Sequence, residues 1–290
     1  MAPVAEFETR RGWLFGLAYQ LLGSSAEAED AVQDAYLRWD RADRAAITHP
    51  GAWLAKVVTN LCLNRLTSAR ATREQYVGEW LPDPVPTDLL GPLETAEQRD
   101  SVSLAVLVLL ERLTPAERAV FVLREAFGYG HREIADVMEL SEANCRQLYR
   151  RAAQHLADHK PRFQPSREER ERLAGRFMAA AQHGDLRALE ELLAEDITSW
   201  ADSGGRLPMA RRPVTGRDRV ARYFAGAWRK LPDGVDFTFA EVNGGTAIIA
   251  TVHGTTMGVV ALEFDGATIA GVRIVANPAK LSHMQGLAGS

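Results

Sequence analysis

Apolar positions recur at helical spacing through most of residues 7–75. Trp13, Leu14, Leu17, Ala18 and Leu21 form one stripe, which stops at Gly23. Ser24 with Glu27 forms a capping-box pattern that opens a second helix. Ala28, Ala31, Val32, Ala35, Leu37 and Trp39 make its expected buried side, and Glu29, Asp30, Gln33 and Asp34 its acidic outer face. Pro50 starts a third helix on which Trp53, Val57 and Leu61 recur, while Lys56, Asn60, Asn64, Arg65 and Arg70 supply amide and basic groups. Aromatic, amide and basic groups on one helix suit unstacked bases and phosphates; a core Trp with a wet far side fits the same pattern.

Helical periodicity lapses from Arg73 to about Asp100, where Pro82, Pro84, Pro86 and Pro92 fall. This stretch reads as a linker. It contains Trp80-Leu81-Pro82-Asp83-Pro84, and an exposed Trp-Leu pair is costly, so these side chains are expected to dock on a surface. Helix resumes near Ser101.

Thr114, Pro115 and Glu117 then combine an N-cap, a proline at the first helical position and a capping box. That helix turns Val120, Phe121, Leu123 and Phe127 inward. A short helix from His131 to Met138 buries Ile134, Ala135 and Met138, the turn Glu139-Leu140-Ser141 follows, and Ser141 caps a last helix. Two short helices across a three-residue turn predict a helix-turn-helix. On the last helix Cys145, Leu148, Tyr149, Ala152 and Leu156 form the inward stripe, which leaves Asn144, Arg146, Gln147, Arg150 and Arg151 outside. Arginine pairs bidentately with guanine, and Gln or Asn with adenine, so this face suits the major groove.

Beyond Lys160-Pro161 the pattern changes again. Ser166–His183 and Asp185–Ala194 read as helices, and Gly216–Leu231 as another. Four β-branched runs, at 236–242, 246–252, 257–264 and 268–275, read as strands separated by short turns. The expected architecture is therefore two all-α helical domains followed by an α+β domain whose curved antiparallel sheet wraps helices.

A length of 290 residues predicts two or three domains, and 46% hydrophobic content supplies ample core. The net charge of −4 argues against a free-standing nonspecific DNA coater, but not against a DNA reader held by a larger partner. Cys62 and Cys145 both fall on apolar helix sides and read as buried small hydrophobes. The start of the chain has no signal-peptide pattern and the longest apolar run, 104–110, is too short to span a bilayer, so a cytoplasmic protein is expected. His131, His155, His159, His183, His253 and His283 show no metal-protease spacing, and neither a phosphate-binding loop nor a dinucleotide fingerprint occurs. No cofactor and no metal site is expected. Asp202 could serve as a carboxylate base in a concave pocket, or as a turn residue bonded to its own backbone.

The helical blocks LFGLAYQLLGSSAEAEDAVQDAYLRW with HPGAWLAKVVTNLCLNRL, and LTPAERAVFVLREAFGYGHREIADVMELSEANCRQLYRRA, resemble regions 2 and 4 of bacterial extracytoplasmic-function (ECF) sigma factors. The remainder resembles the subgroup with a fused SnoaL-like domain of the nuclear-transport-factor-like fold. That subgroup carries a WLPEP-type motif, here Trp80-Leu81-Pro82-Asp83-Pro84, and a DGGGK-type motif, here Asp202-Ser203-Gly204-Gly205-Arg206. It also carries an NPDKL-type motif, here Asn277-Pro278-Ala279-Lys280-Leu281. Leu148 stands where many relatives have Arg, Glu139 where they often have Gly, and Ser203, Arg206 and Ala279 depart from the accessory motifs.

The resemblance implies a division into region 2 (residues 1–75), a linker (76–103), region 4 (104–161) and a SnoaL-like regulatory domain (166–284). It implies that Asp30, Gln33 and Asp34 bind the clamp helices of the largest subunit of core RNA polymerase. It implies that Trp53, Lys56, Asn60, Asn64 and Arg65 recognise and help melt the −10 element of promoter DNA. Asn144, Arg146, Gln147, Arg150 and Arg151 would read the −35 element, and the three accessory motifs would make a regulatory interdomain contact. The implied protein is no enzyme and has no membrane partner, and its SnoaL-like pocket is a place for a small-molecule ligand. Two other functions keep the same motifs: a helix-turn-helix regulator with a ligand-sensing domain, and a SnoaL-like isomerase or cyclase.

Overall fold

Helix α2 (Arg11–Leu22) ends where its apolar stripe ends, with Gly23 as a left-handed cap whose N–H bonds the Tyr19 carbonyl. It follows α1 (Pro3–Glu8) and precedes α3 (Ser25–Arg41) and α4 (Pro50–Glu74). The computed structural model describes residues 3–74, 76–91, 93, 95–156 and 165–285; His159 and the side chain of Arg70 lie outside what is described. The chain divides into two compact units, residues 1–75 with 87–159 and residues 76–86 with 160–290.

In the first unit Leu14, Leu17 and Leu21 of α2 are fully buried, as are Ala28, Ala31 and Ala35 of α3, with Trp39 and Val32 nearly so. Ser24 accepts the Glu27 N–H, as its sequence position requires. Leu37, expected on this buried side, is 43% exposed. Two residues beyond Ala35 is about 200° round the helix, so it faces away from the stripe. On α4 the buried line is Leu54, Ala55, Val58, Leu61 and Cys62, rotated by one residue from the expected Trp53-Val57-Leu61. Trp53 and Val57 are half-buried instead.

The rest of this unit is α5 (Ala96–Ser101), α6 (Leu104–Leu110), α7 (Pro115–Glu125), α8 (His131–Met138) and α9 (Glu142–Leu156). Thr114 and Glu117 cap α7 reciprocally. Phe121, Phe127 and Met138 are only half-buried, and Val137 takes the buried place expected of Met138. Arg118 of α7 is 2% exposed, and its guanidinium donates to the Gln20 carbonyl at 3.1 and 3.0 Å and pairs with Glu111. A one-turn 3-10 helix, Thr87–Leu90, crosses α2 at Gly16, where an added Cβ would lie 2.5 Å from the Leu90 carbonyl oxygen. Only glycine admits that approach.

The second unit contains α10 (Arg167–His183), α11 (Leu186–Leu192), β1 (Leu193–Asp202), β2 (Val214–Thr215) and α12 (Arg217–Trp228). The strands β3 (Val235–Val242), β4 (Gly245–Val252), β5 (Thr255–Asp265) and β6 (Thr268–Val275) follow. Their order in one sheet is β2-β1-β6-β5-β4-β3. The four expected strands form an antiparallel meander, but β1 joins β6 in parallel, so the sheet is mixed rather than antiparallel throughout. The long excursion from β1 through α12 and the meander supplies the crossover that a parallel pair needs. Residues 193 and 194, expected to end a helix, already belong to β1. Register shifts in β1, β4 and β5 bend the sheet around the helices. Leu173, Phe177, Leu189, Val220 and Phe224 pack there against Ile248, Leu262, Val272 and Ile274.

Candidate nucleic-acid interface and linker-docking site

Glu139 ends α8 with φ 55°, a left-handed conformation that glycine adopts more cheaply. Ser141 Oγ then accepts the Asn144 N–H at 3.2 Å and starts α9. Cys145, Ala152 and Leu156 are buried, while Leu148 and Tyr149 are half-buried on the same stripe. Leu148 is therefore an inward residue, which accounts for its apolar character. Tyr149 is fixed twice: its ring stacks on Phe121 at 6.3 Å, and its hydroxyl donates to Glu125 at 2.6 Å. That bond and partial burial push the phenol pKa up. With one side anchored, Asn144, Arg146, Gln147, Arg150 and Arg151 all lie exposed along the other. Arg146 pairs with Glu142 one turn away. Such an exposed pair contributes well under ~1 kcal/mol and leaves the guanidinium available to a better partner.

The sequence-selected groups on α4 have different surroundings. Asn64 is exposed, Asn60 half-buried, and Trp53 packs its ring 5.7 Å from Trp39. Lys56 forms an ion pair with Glu139 at 3.0 Å. A cleft of about 900 Å³ opens beside Trp53 and Lys56, with His49 on one wall and Tyr129, Glu133 and Asp136 on the other. Arg65 departs from the group, since it bonds Asp34 at 2.7 Å, lies 3.5 Å from Asp30 and reaches the Glu27 carbonyl at 3.3 Å. The structure thus brings Arg65 together with the acidic face, not with Trp53 and Lys56. Gln33 and Asp30 of that face remain exposed and Asp34 half-buried.

In the second unit the segment Tyr76–Pro86 lies as a strap against the folded domain. Leu81 through Pro86 are all buried, Asp83 included, and Trp80 is half-buried. Asp202, at the end of β1, is the hub. One carboxylate oxygen accepts the Tyr76 hydroxyl at 2.5 Å and the Gly204 N–H at 3.1 Å. The other accepts the Leu81 N–H at 2.9 Å and the Lys280 ammonium at 2.8 Å. Lys280 is 7% exposed and also donates to the Leu81 carbonyl. Its ammonium sits 4.1 Å from the Trp80 ring centroid and 5.0 Å from that of Tyr76. A buried cation is thereby matched by a carboxylate, a carbonyl and two π faces, as a buried charge requires.

Asn277 completes this end by donating Nδ2 to the Tyr76 oxygen at 2.7 Å and accepting the Ala279 N–H at 3.1 Å. Gly204 turns with φ 59°, and a Cβ there would press against the Asn277 amide at 2.7 Å. Burial and the bond to Asp202 push the Tyr76 phenol pKa well above its ordinary value. The far end of the strap behaves as an added edge: Val85 donates to Asn243 Oδ1 and accepts the Asn243 N–H, both at 3.0 Å, and Pro86 bridges Val242. Ser203 is half-buried and Leu281 buried, whereas Gly205, Arg206, Pro278 and Ala279 are exposed. The missing acid at 279 therefore falls at an exposed position, while the Lys280 ammonium is buried against Asp202.

Sequence reading selected most of this site but passed over Tyr76 and Asn243. A turn between the strands at 236–242 and 246–252 is legible, yet nothing local indicates that Asn243 within it holds Val85, 158 positions away. Asp202 has both oxygens committed to the strap and is not part of the wall of the domain's internal cavity, so its expected alternative as a pocket base is not the arrangement present. Among the described residues no cluster of His, Cys, Asp and Glu could hold a metal ion, and no helix is long and apolar enough to cross a membrane.

Residues 7–72 match the family model Sigma-70 region 2, residues 103–156 match Sigma-70, region 4, and residues 174–276 match the SnoaL-like domain. The chain is 41% identical over 238 residues to the ECF RNA polymerase sigma factor SigJ of Mycobacterium tuberculosis, covering 80% of this chain and 75% of that one. It is 31% identical over 285 residues to the probable ECF RNA polymerase sigma factor SigI of the same species, covering 97% and 95%. The crystal structure of M. tuberculosis SigJ superposes with a TM-score of 0.75 at 35% identity, over 97% of this chain and 98% of that one.

Proposed function

Because the chain belongs to the ECF RNA polymerase sigma factors and carries a fused SnoaL-like domain, we propose that this domain controls promoter recognition in cis by holding the linker. In this reading residues 1–75 and 104–161 are the two promoter-binding parts, 76–103 the linker and 166–284 the regulatory domain. The exposed face of α9, with Asn144, Arg146, Gln147, Arg150 and Arg151, reads the −35 element. Trp53, Lys56, Asn60 and Asn64 beside the α4 cleft take the melted −10 element. Asp30, Gln33 and Asp34 meet the clamp helices of core polymerase, and Arg65 holds that acidic face in place until they do.

The docked strap carries the regulatory part. Residues 76–86 connect the two promoter-binding parts in sequence, and their backbone and aromatic groups are bonded to Asp202, Asn243, Asn277 and Lys280. Eleven extended residues span up to ~36–40 Å. Holding them withdraws that reach from the linker, and releasing them returns it. Core polymerase supplies most of the nonspecific affinity for DNA, which agrees with a net charge of −4. The function places the protein in the cytoplasm. It needs no catalytic residue, and the relatives it resembles are sigma factors.

Run-off transcription with core polymerase on a cognate promoter tests the reading. Full-length protein carrying Asp202→Ala should initiate severalfold more transcript than the unaltered chain. Equal output from the two, in an assay where both bind core polymerase, would sink control through the strap.

A further inference from the structure

Between the helix layer and the sheet, the second unit encloses a cavity of about 440 Å³. Phe177, Met209, Tyr223, Trp228, Phe237 and Ile274 are among its walls, and the rings of Trp228 and Phe237 stack at 4.6 Å. Among the described residues its only charged lining groups, Arg222 and Lys230, are exposed at the rim, and Arg222 pairs with Asp218 at 2.8 Å. The volume lies in the range of small-molecule sites. A ligand entering with a net charge would give up hydration and find no buried counter-charge among these walls. Flat aromatic surfaces, by contrast, match the stacked and edge-on rings that form them.

Two hydrogen bonds join the cavity wall to the strap site. Leu207, a wall residue, accepts the Ser203 hydroxyl at 3.2 Å, and Ser203 follows Asp202 directly. Ala276, another wall residue, donates its N–H to the Asp202 carbonyl at 2.7 Å and precedes Asn277. Asp202 and Asn277 are both strap-holding groups, so the wall and the strap site share the same two stretches of backbone. A ligand that braces the wall braces the strap anchors, and by linkage a docked strap favours the ligand.

We infer that the cavity binds an uncharged, largely aromatic small molecule, and that its occupancy strengthens docking of Tyr76–Pro86. The cavity and its link to the anchors stand on geometry alone; their effect on transcription rests on the proposed function above.

The test uses the full chain and the uncharged fluorophore N-phenyl-1-naphthylamine. Its fluorescence should rise to a saturable, one-to-one plateau. Naphthalene should displace it at least tenfold more effectively than 1-naphthoate, the same ring with a carboxylate. Gly226 lines the cavity in α12, and an added Cβ would meet nothing within 4 Å. Gly226→Leu therefore fills space while improving helix propensity, and should abolish fluorophore binding. Amide exchange at Leu81 and Val85 should slow severalfold when the fluorophore saturates the protein.

Absence of binding, or equal binding by the Gly226→Leu protein, would overturn the site. Equal displacement by 1-naphthoate would overturn the ligand class, and unchanged exchange at Leu81 and Val85 the coupling. Failure of the transcription reading separates cleanly: Asp202→Ala would then leave transcript output unchanged while the fluorophore still bound and Gly226→Leu still blocked it.

Discussion

Replacing Asp202 with Asn keeps the size of the side chain but removes its charge and half of its accepting capacity. Four donors converge on the carboxylate, two on each oxygen. An amide can serve only one pair, whichever way it is turned. The larger cost falls on Lys280, whose ammonium, in a side chain 7% exposed, loses the carboxylate charge 2.8 Å away. Breaking a buried ion pair by removing one partner costs ~3–5 kcal/mol. If the strap relieves this by lifting away and letting water reach Lys280, the released population grows roughly 150- to 4000-fold, at 1.4 kcal/mol per factor of ten. Hydrogen exchange at Leu81 and Val85 measures it directly, because their amides are the ones bonded to Asp202 and Asn243. Adding Lys280→Met removes the cation whose ion pair is broken, so the double variant should recover part of the loss, with a coupling energy of ~1–3 kcal/mol between the sites. Exchange in the Asp202→Asn protein within twofold of the unaltered chain would refute the account, as would a double variant no better protected than the single one.

Further outcomes follow from other parts of the fold. Arg146→Ala should cost ~1–3 kcal/mol at one base position of the −35 element in binding assays over a set of promoter variants; uniform weakening across the set would reassign Arg146 to phosphate. Gly16→Ala places a Cβ against the Leu90 carbonyl and should lower the melting temperature by an amount equivalent to ~1–3 kcal/mol. The folded-state pKa of Tyr76 lies above its ordinary value of 10.0. Its contribution to stability is therefore fully present below pH 10.0 and is lost only as pH rises through the higher folded value. Melting curves of the unaltered chain should show an alkaline loss that Tyr76→Phe diminishes, at the expense of a lower melting temperature at neutral pH.

How much of this was visible beforehand depends on how far apart the interacting residues lie in the chain. The α9 stripe, the Thr114 cap and the meander strands could all be read, since period, cap and turn are properties of a few consecutive residues. The misplacements are also local in origin. Leu37 is apolar, but its angle on α3 turns it away from the buried stripe, and Glu195 and Asp196, which fall where β1 shifts register, hide the strand's alternation. Sequence neighbourhood groups Arg65 with Trp53 and Lys56, whereas its side chain reaches Asp34, 31 positions earlier.

By itself the sequence determined the family, the two helical blocks and the outward face of α9, because each rests on short-range periodicity and on motifs of adjacent residues. Only the tertiary structure decided what the accessory motifs touch. Lys280 meets Leu81 across 199 positions, and Asp202 meets Tyr76 across 126. No local rule links such residues. Their pairing is settled by a buried ammonium that must find an anion and by strap amides that must find acceptors, and the folded domain is what brings these groups within reach.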